Sequence, residues 1–239
     1  MSLQIQSYKN ELLNTLSPDD LSLLTPHFEE VRLDVPYLIE KSNTSIEHIY
    51  FLESGLASIV AKLSGGRDIE VGIAGREGVT GVSVILGGTQ SPNTTFMQVS
   101  GSGHRMPTGA FRLALESSAS LRATLFSYTQ SLLIQTGSTV LANGHAKLEE
   151  RLARWLLMVH DRLDGTIVPL THEFLSVMLG VRRPGVTVAL HILEGKGFIR
   201  AMRGQITIVN RKGLIDEANG SYGVAEQEYH RLMGIKLAR

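Results

Sequence analysis

The chain has 239 residues, of which 43% are hydrophobic, with 23 basic and 23 acidic side chains. This length allows two domains of ordinary size. The absence of cysteine excludes disulfides, thiolate metal sites, catalytic thiols and cysteine-bound iron–sulfur clusters. No run of about 18 apolar residues and no export signal is evident, so we expect a cytoplasmic protein with no membrane partner.

The first part of the chain is predicted to contain short helices and then strands. Within residues 4–33, the clearer helix follows Ser17 and has Pro18 in its first turn. Over residues 28–108, short apolar or alternating runs (VRLDV, HIYFL, ASIVAKL, IEVGI and TTFMQV) are separated by glycines, including the pair Gly65–Gly66. Such regularly interrupted runs predict an antiparallel sandwich or barrel.

A long helix is predicted over about residues 120–142, where residues recur at spacings of four and three. One face carries the residues that we predict at a dimer interface: Leu121, Leu125, Tyr128, Leu132, Gln135 and Thr139. The other side carries Phe126, Leu133 and Val140, so one face can lie on the β-domain while the other meets a partner chain. Packing within a single chain is the alternative. Asn143–Gly144 is predicted to end this helix.

Three more helices are predicted further along the chain. Residues 147–163 have one apolar face, and a short helix lies between Thr171, which can cap it, and Gly180, which breaks it. The last begins at Pro184 and ends near Glu194, because proline is tolerated at a helix start. The residue before this proline, Arg183, is predicted to be extended.

The last two of these helices have the pattern of a helix-turn-helix, whose second helix can enter the major groove of DNA. The buried stripe of the second helix is predicted to be Val186, Ala189, Leu190 and Leu193. After Gly197, the run FIRAMRGQITIVN alternates around Arg203–Gly204 and predicts a hairpin wing. The residues predicted to contact bases or phosphates are Thr171, Arg182, Arg183, Thr187, Val188, His191, Arg200 and Arg203.

The distribution of charge supports DNA as the partner. Residues 165–213 hold seven basic and two acidic side chains, a local charge of +5, which leaves −5 for the remainder. A basic module with a groove face free of acids fits a polyanion. The alternative is a ligand-binding or protein-docking module whose winged helix binds protein. An enzyme is disfavoured because the P-loop, Rossmann and nucleophile-elbow patterns are missing, so no catalytic residues are predicted.

Three segments resemble the Crp/Fnr family of bacterial transcription regulators, in that family's order: HIYFLESGLASIV, IEVGIAGREGVTGVSVILGG and LGVRRPGVTVALHILEGKGFI. The resemblance spans about residues 8–233. It implies an α+β fold with a cyclic-nucleotide-binding-like antiparallel β-roll of jelly-roll type (1–119), a dimerisation helix (120–143) and a winged helix-turn-helix (144–239). It also implies a homodimer on a roughly palindromic operator, with RNA polymerase as a further partner.

The resemblance places an effector pocket in the roll, at Gly81, Val82, Pro92, Asn93, Thr94 and Thr136. Cyclic-AMP-binding members hold the ribose with a glutamate and the phosphate with an Arg–Ser pair, where this chain has Val82, Pro92 and Asn93. Without the arginine, a buried phosphate has no counter-charge. We therefore predict no response to cyclic AMP, and either another effector or none.

The other sensing chemistries of the family need a bound cofactor. Fnr-type sensing needs a cysteine-bound cluster, and it is excluded because the chain has no cysteine. No other cofactor is predicted. Haem stays formally open because the chain has eight histidines, but no two are closer than twelve positions and each is expected to be structural or on the surface. No metal site is predicted. In the recognition helix, Arg183–Pro184 and Val188 stand where cyclic-AMP-responsive members have Arg–Glu and a second Arg, so a different operator is expected.

Overall fold

The computed structural model describes residues 8–62 and 68–235, and its elements have the α+β order that the resemblance implies. The elements of the first half are α1 (Glu11–Thr15), α2 (Pro18–Leu24), a 3₁₀ turn (Thr25–His27), β1 (Glu29–Leu33), β2 (Leu38–Glu40), β3 (His48–Lys62), β4 (Asp68–Ala74), α3 (Val82–Ile85), β5 (Thr94–Pro107) and α4 (Thr108–Ser117). The elements of the second half are α5 (Ala119–His145), α6 (Leu148–Arg162), β6 (Ile167–Pro169), α7 (His172–Met178), α8 (Arg183–Gly195), β7 (Ile199–Met202), β8 (Gln205–Ile208), α9 (Arg211–Glu217) and α10 (Val224–Met233). The predicted Gly65–Gly66 turn, and Leu63 at the end of the ASIVAKL run, lie outside the described residues.

The strands of the first half form one antiparallel sheet in the order β1, β5, β3, β4, and β2 also pairs with β5. Strands β3 and β5 pair from His48 opposite Pro107 to Val60 opposite Thr94, and shifts of register along them bend the sheet. Apolar side chains of the sheet meet those of the surrounding helices in a cluster that includes Phe51. The predicted β-roll is therefore confirmed.

Of two helices beside the roll, one was predicted from the sequence and the other was not. Ser17 caps α2 as predicted, since its hydroxyl oxygen accepts the Asp20 N–H at 3.1 Å and Pro18 stands in the first turn. Helix α4 was missed by the prediction. Its signal was present, because Phe111 and Ala114 bury one face at helical spacing.

Helix α5 is the predicted long helix, and it extends further than expected. The Ser118 hydroxyl oxygen caps its N-terminus by accepting a backbone N–H at 3.1 Å. The helix continues through Asn143–Gly144 to His145, where the Ala146 N–H still donates to the Ala142 carbonyl at 2.9 Å. A glycine inside a helix costs only about 1 kcal/mol, so it does not end a helix that is packed along one face.

The second half builds an apolar core from α6 to α9 and a small sheet, and this core continues into the roll through Leu56, Val60, Ile73 and Val99. Strands β7 and β8 form the predicted hairpin, and β6, which was not predicted, pairs with β8. Helix α10 leaves this core and packs on α5, where Met233 joins the apolar cluster of the roll. Among the described residues, no helix combines the length and apolarity needed to cross a membrane.

Candidate nucleic-acid interface

The predicted helix-turn-helix consists of α7, a turn at Gly180 and α8. The Thr171 hydroxyl oxygen caps α7 by accepting a backbone N–H at 3.3 Å, as predicted. Helix α8 begins one residue earlier than predicted, with Arg183 as its first residue and Arg182 extended before it. The helix can begin ahead of Pro184 because the first N–H groups of a helix have no partner within it.

Helix α8 buries the predicted stripe and exposes the opposite face. The stripe residues are at most 1% exposed: Val186, Ala189, Leu190 and Leu193. On the other face Val188 is 59% exposed and His191 is also exposed. Thr187 is half-buried, and its hydroxyl donates to the Arg183 carbonyl at 3.2 Å. The predicted contact residues of this helix therefore share an outer face.

The face is not free of acids, which corrects the prediction. Glu173 of α7 forms an ion pair with Arg183, with 2.6 Å between Oε2 and Nη2, and both side chains are mostly exposed. An exposed ion pair contributes about 1 kcal/mol or less. Arg183 can therefore exchange this carboxylate for a phosphate or a guanine edge at little cost.

The wing is held against α8 by a specific contact. The Ala201 N–H of β7 donates to Glu194 Oε1 of α8 at 2.9 Å. The hairpin turns through Arg203–Gly204, where Gly204 has φ +78°, a conformation that glycine adopts without strain. Thr171 and His191 line the groove between α8 and the wing together with Arg203. Three predicted contact residues from separate elements are thus brought to one groove.

The structure also shows which basic side chains are available at this surface. Lys196 is paired with Glu217 at 2.6 Å. Arg211 is directed towards α6, where its Nη2 lies 2.6 Å from Asp161 Oδ1. The exposed arginines that form no ion pair with any described residue are Arg182, Arg200 and Arg203. The local charge of +5 therefore overstates the free positive charge, although three of the four arginines predicted as contacts keep theirs and only Arg183 is paired.

A cavity of about 260 Å³ lies between the roll and α5, and most of the predicted effector residues line it. Those that do are Gly81, Val82, Asn93 and Thr136. Pro92 is exposed and Thr94 is half-buried at the start of β5, and neither lines the cavity, so the prediction is corrected at these two positions. Their neighbours Ser91 and Thr95 take their place, because alternate residues of an extended segment point to opposite sides.

A buried carboxyl in this cavity was missed by the prediction. Glu40 Oε1 accepts the Gly81 N–H at 2.7 Å, and Oε2 accepts the Thr95 hydroxyl at 3.2 Å. Burial raises the pKa of Glu40 above its ordinary value. Gly81 has φ +77°, and a Cβ there would lie 2.2 Å from Ile49 Cδ1. The only sequence signal was an acid that ends an otherwise apolar strand.

The predicted dimer face of α5 packs on the chain's own roll, which corrects that assignment. Its buried members are Leu121, Leu125, Tyr128 and Gln135, whereas Leu132 and Thr139 are half-buried. Gln135 Oε1 accepts the Ile73 N–H at 2.8 Å and Nε2 donates to the Ile73 carbonyl at 3.3 Å, so this face is attached to β4. The amide of Gln135 extends the hydrogen bonding of the sheet, and the buried residues of this face are unavailable to a partner.

The other apolar side of α5 is open. Phe126, Leu133 and Val140 recur every seven residues and are 46%, 65% and 66% exposed. Gly137 lies between them, and a Cβ at this position would meet no atom within 4 Å. Exposed apolar residues in a heptad spacing are typical of a helix that pairs with another helix.

Comparison with known proteins agrees with this architecture. The sequence model of the Crp-like helix-turn-helix domain matches residues 150–217. The fold is similar to that of a Crp/Fnr-family transcriptional regulator from Eubacterium rectale, at 20% identity and a TM-score of 0.65, over 89% of this chain and 99% of the other. FixK2 from Bradyrhizobium japonicum is also 20% identical, with a TM-score of 0.69, over 79% and 96%. A CRP-family regulator from Thermus thermophilus is 18% identical, with a TM-score of 0.65, over 82% and 98%. No curated protein sequence matches the chain.

The chain combines a β-roll, a long helix and a winged helix-turn-helix with exposed arginines, an architecture similar to that of Crp/Fnr-family regulators. The structural likenesses show the fold and nothing more, and the matched domain identifies residues 150–217 as a Crp-like helix-turn-helix domain.

Proposed function

We propose that the protein regulates transcription as a homodimer that binds a roughly palindromic DNA operator through α8 and the β7–β8 wing. The observation that carries this proposal is the surface formed by the start of α8, its outer face and the wing. Arg182, Arg200 and Arg203 stand there without an ion-pair partner among the described residues. Guanidinium groups in such positions bond guanine edges or phosphates in a bidentate manner.

Each element of this surface has its own task in the proposal. The start of α8 presents Arg182 and Arg183 to base edges or to the adjacent phosphates. Val188 packs on a thymine methyl group, and His191 lies one turn further along the helix. Arg203 at the wing tip meets the phosphate backbone beside the groove. The operator differs from that of cyclic-AMP-responsive relatives, because Pro184 and Val188 cannot read a cytosine or a second guanine.

Selection of binding sites from random DNA tests the proposal. The purified protein is expected to enrich a sequence with two-fold symmetry, and fluorescence anisotropy is expected to show weaker binding of that sequence by Arg182→Ala and Arg183→Ala. Arg32→Ala is the matched control, because Arg32 is an exposed arginine on β1 of the roll. No enrichment, together with no retardation of genomic fragments at low salt, would favour the protein-docking alternative.

The homodimer is proposed to form through the open face of α5. Two copies of Phe126, Leu133 and Val140 bury each other when two α5 helices pair, and Gly137 lets the helices approach closely. A pair of recognition helices then faces two half-sites that are about one helical turn of DNA apart. The roll cavity adjoins this face, since Leu133 lies on the face and also lines the cavity.

Sedimentation tests this interface. Leu133→Glu is expected to give monomers, because a charge replaces an apolar side chain in the centre of the face. Val209→Glu makes the same change at a residue that is 61% exposed outside α5, and it should leave the dimer intact. A dimeric Leu133→Glu protein would place the interface elsewhere.

The protein is proposed not to respond to cyclic AMP. The Gly81 N–H at the start of α3 already donates to the buried carboxyl of Glu40, which an anionic phosphate would have to displace. Among the described residues, those that line the roll cavity include no arginine or lysine. Titration calorimetry is expected to show no heat of binding with cyclic AMP, and micromolar binding would contradict the proposal.

A further inference from the structure

A second cavity, of about 300 Å³, lies between the roll, α5, α6 and the C-terminal helix α10. It is larger than the roll cavity and shares with it only Leu132, so the two are different places in the fold. Its walls carry four carboxylates, two arginines, three tyrosines and a histidine. A cavity of this size with several convergent polar groups is the kind of place where small molecules bind.

Both arginines of the cavity are already neutralised by the protein. Arg162 Nε lies 2.6 Å from Glu77 Oε1, and its Nη1 donates to the Met158 carbonyl at 2.7 Å. Arg211 Nη2 donates to Asp161 Oδ1 at 2.6 Å and to the Tyr222 hydroxyl at 2.7 Å. An anion entering the cavity would therefore have to break these pairs, so the lining disfavours anionic ligands.

Two carboxylates remain without a full counter-charge. Arg76 directs its Nη1 to Asp164 at 2.8 Å and its Nε lies 3.5 Å from Glu11 Oε1, so Glu11 shares this arginine with Asp164. Burial, and then the nearby charge of Glu77, raise the pKa of Glu11, while the positive charges of Arg76, His230 and Arg162 offset part of the effect. Glu226 uses Oε2 to accept the N–H that begins α10, at 2.8 Å, and no hydrogen bond from a described residue reaches its other oxygen.

Two further polar atoms of the lining are buried without a hydrogen bond of normal geometry. They are Nδ1 of His230 on α10 and the hydroxyl of Tyr128 on α5. Tyr128 is only 2% exposed, and its hydroxyl lies against the backbone of Val79. Buried polar atoms without partners mark a place where a ligand or an ordered molecule completes the hydrogen bonding.

We infer that this cavity binds a small organic cation, a primary amine or a guanidinium compound, through Glu11 and Glu226. Ammonium and guanidinium groups bring several N–H donors and a positive charge, which are what the two carboxylates lack. The tyrosine rings in the same walls attract cations over their faces. The volume holds a ligand of up to about ten non-hydrogen atoms, at roughly 30 Å³ for each water-sized group.

A ligand in this cavity would join the two halves of the chain. Glu11 belongs to the helices beside the roll, whereas Glu226 lies on α10 after the winged domain. Occupancy is therefore expected to stabilise the observed arrangement of roll and winged helix. This regulatory consequence rests on the proposed DNA-binding function, but the binding of the cation does not.

Calorimetry on the full chain tests the site with 1,4-diaminobutane and 4-guanidinobutylamine as probes, and with uncharged 1,4-butanediol as the matched ligand. At least one cationic probe is expected to bind once per chain, and the diol is not. Glu226→Gln should weaken binding at least tenfold, while Glu228→Gln, on the same helix and paired with Arg231, should leave it unchanged. Glutamine preserves the cap of α10, so the variant is expected to fold.

A rise in the melting temperature of the wild-type protein with the cationic probe gives a second measurement, and this rise should be absent with Glu11→Gln. The inference is overturned if neither cationic probe binds, if the diol binds equally well, or if Glu226→Gln binds as the wild type does. DNA binding measured separately on the same samples distinguishes this failure from a failure of the proposed function.

Discussion

Glu70 provides a prediction about the stability of the junction between the roll and α6. It lies on β4, where one carboxyl oxygen accepts the Trp155 Nε1–H at 2.7 Å and the other accepts the Ser58 hydroxyl at 2.5 Å. Burial raises the pKa of Glu70 from 4.5 to about 7, although these two hydrogen bonds offset part of the effect. The proton that Glu70 holds in the folded protein therefore couples folding to pH.

The sign and size of this coupling follow from the two pKa values. Between pH 4.5 and about 7 the folded protein retains a proton that the unfolded chain has released, so the free energy of unfolding falls as the pH rises through this window. The gap from 4.5 to about 7 corresponds to about 3 kcal/mol, because a tenfold change in proton binding is worth about 1.4 kcal/mol. Glutamine keeps an acceptor for Trp155 and carries no charge. Glu70→Gln should therefore be more stable than the wild type by about 3 kcal/mol near pH 8 and similar to it near pH 4.

Urea unfolding at a series of pH values measures the effect. Trp155 is the only tryptophan of the chain and contacts Glu70, so its fluorescence reports both unfolding and the titration. Glu116→Gln is the control, since this exposed glutamate on α4 carries the same chemical change. If the wild type and Glu70→Gln lose stability in parallel from pH 5 to pH 8, the reasoning about the buried carboxyl is refuted.

Two further predictions concern the DNA-binding surface. Glu173→Gln should raise DNA affinity by up to about fivefold for each half-site of the operator, because it releases Arg183 from an exposed ion pair worth about 1 kcal/mol or less. Asp216→Asn, which changes an exposed acid on α9, should have a smaller effect in the same anisotropy assay. Glu194→Ala should weaken DNA binding roughly tenfold without changing sedimentation, since it removes a charge-assisted hydrogen bond worth about 1.5 kcal/mol between α8 and the wing. Unchanged affinity in Glu194→Ala would show that this contact does not position the wing.

The elements that sequence reasoning predicted well are those with a local, periodic pattern. The stripe of α8 follows helical spacing over four apolar residues, and its buried side is as predicted. The wing follows strict alternation around Arg203–Gly204. Ser17 and Thr171 cap their helices because capping depends on residues three positions apart. Patterns formed by residues close together in sequence can be recognised without knowledge of the tertiary structure.

The features that sequence reasoning missed depend on contacts between distant residues. Both sides of α5 are apolar, and only the bonds of Gln135 to Ile73 of β4 decide which side meets the roll. The pairing of Glu173 with Arg183 joins two helices across a turn. Glu40 meets Gly81 across 41 positions of sequence. Periodicity within one segment carries no information about such pairs.

The salt dependence of binding to a selected operator tests the central claim most directly, because phosphate contacts release counterions in a countable way. For a homodimer, each arginine that contacts phosphate appears twice, so its loss should reduce the slope of log K against log salt by about 1.8. The wild type is expected to bind with a steep slope, and the double variant Arg182→Ala with Arg183→Ala should bind at least tenfold more weakly. Equal affinity and equal slope in the wild type and the double variant would contradict the claim that α8 reads DNA.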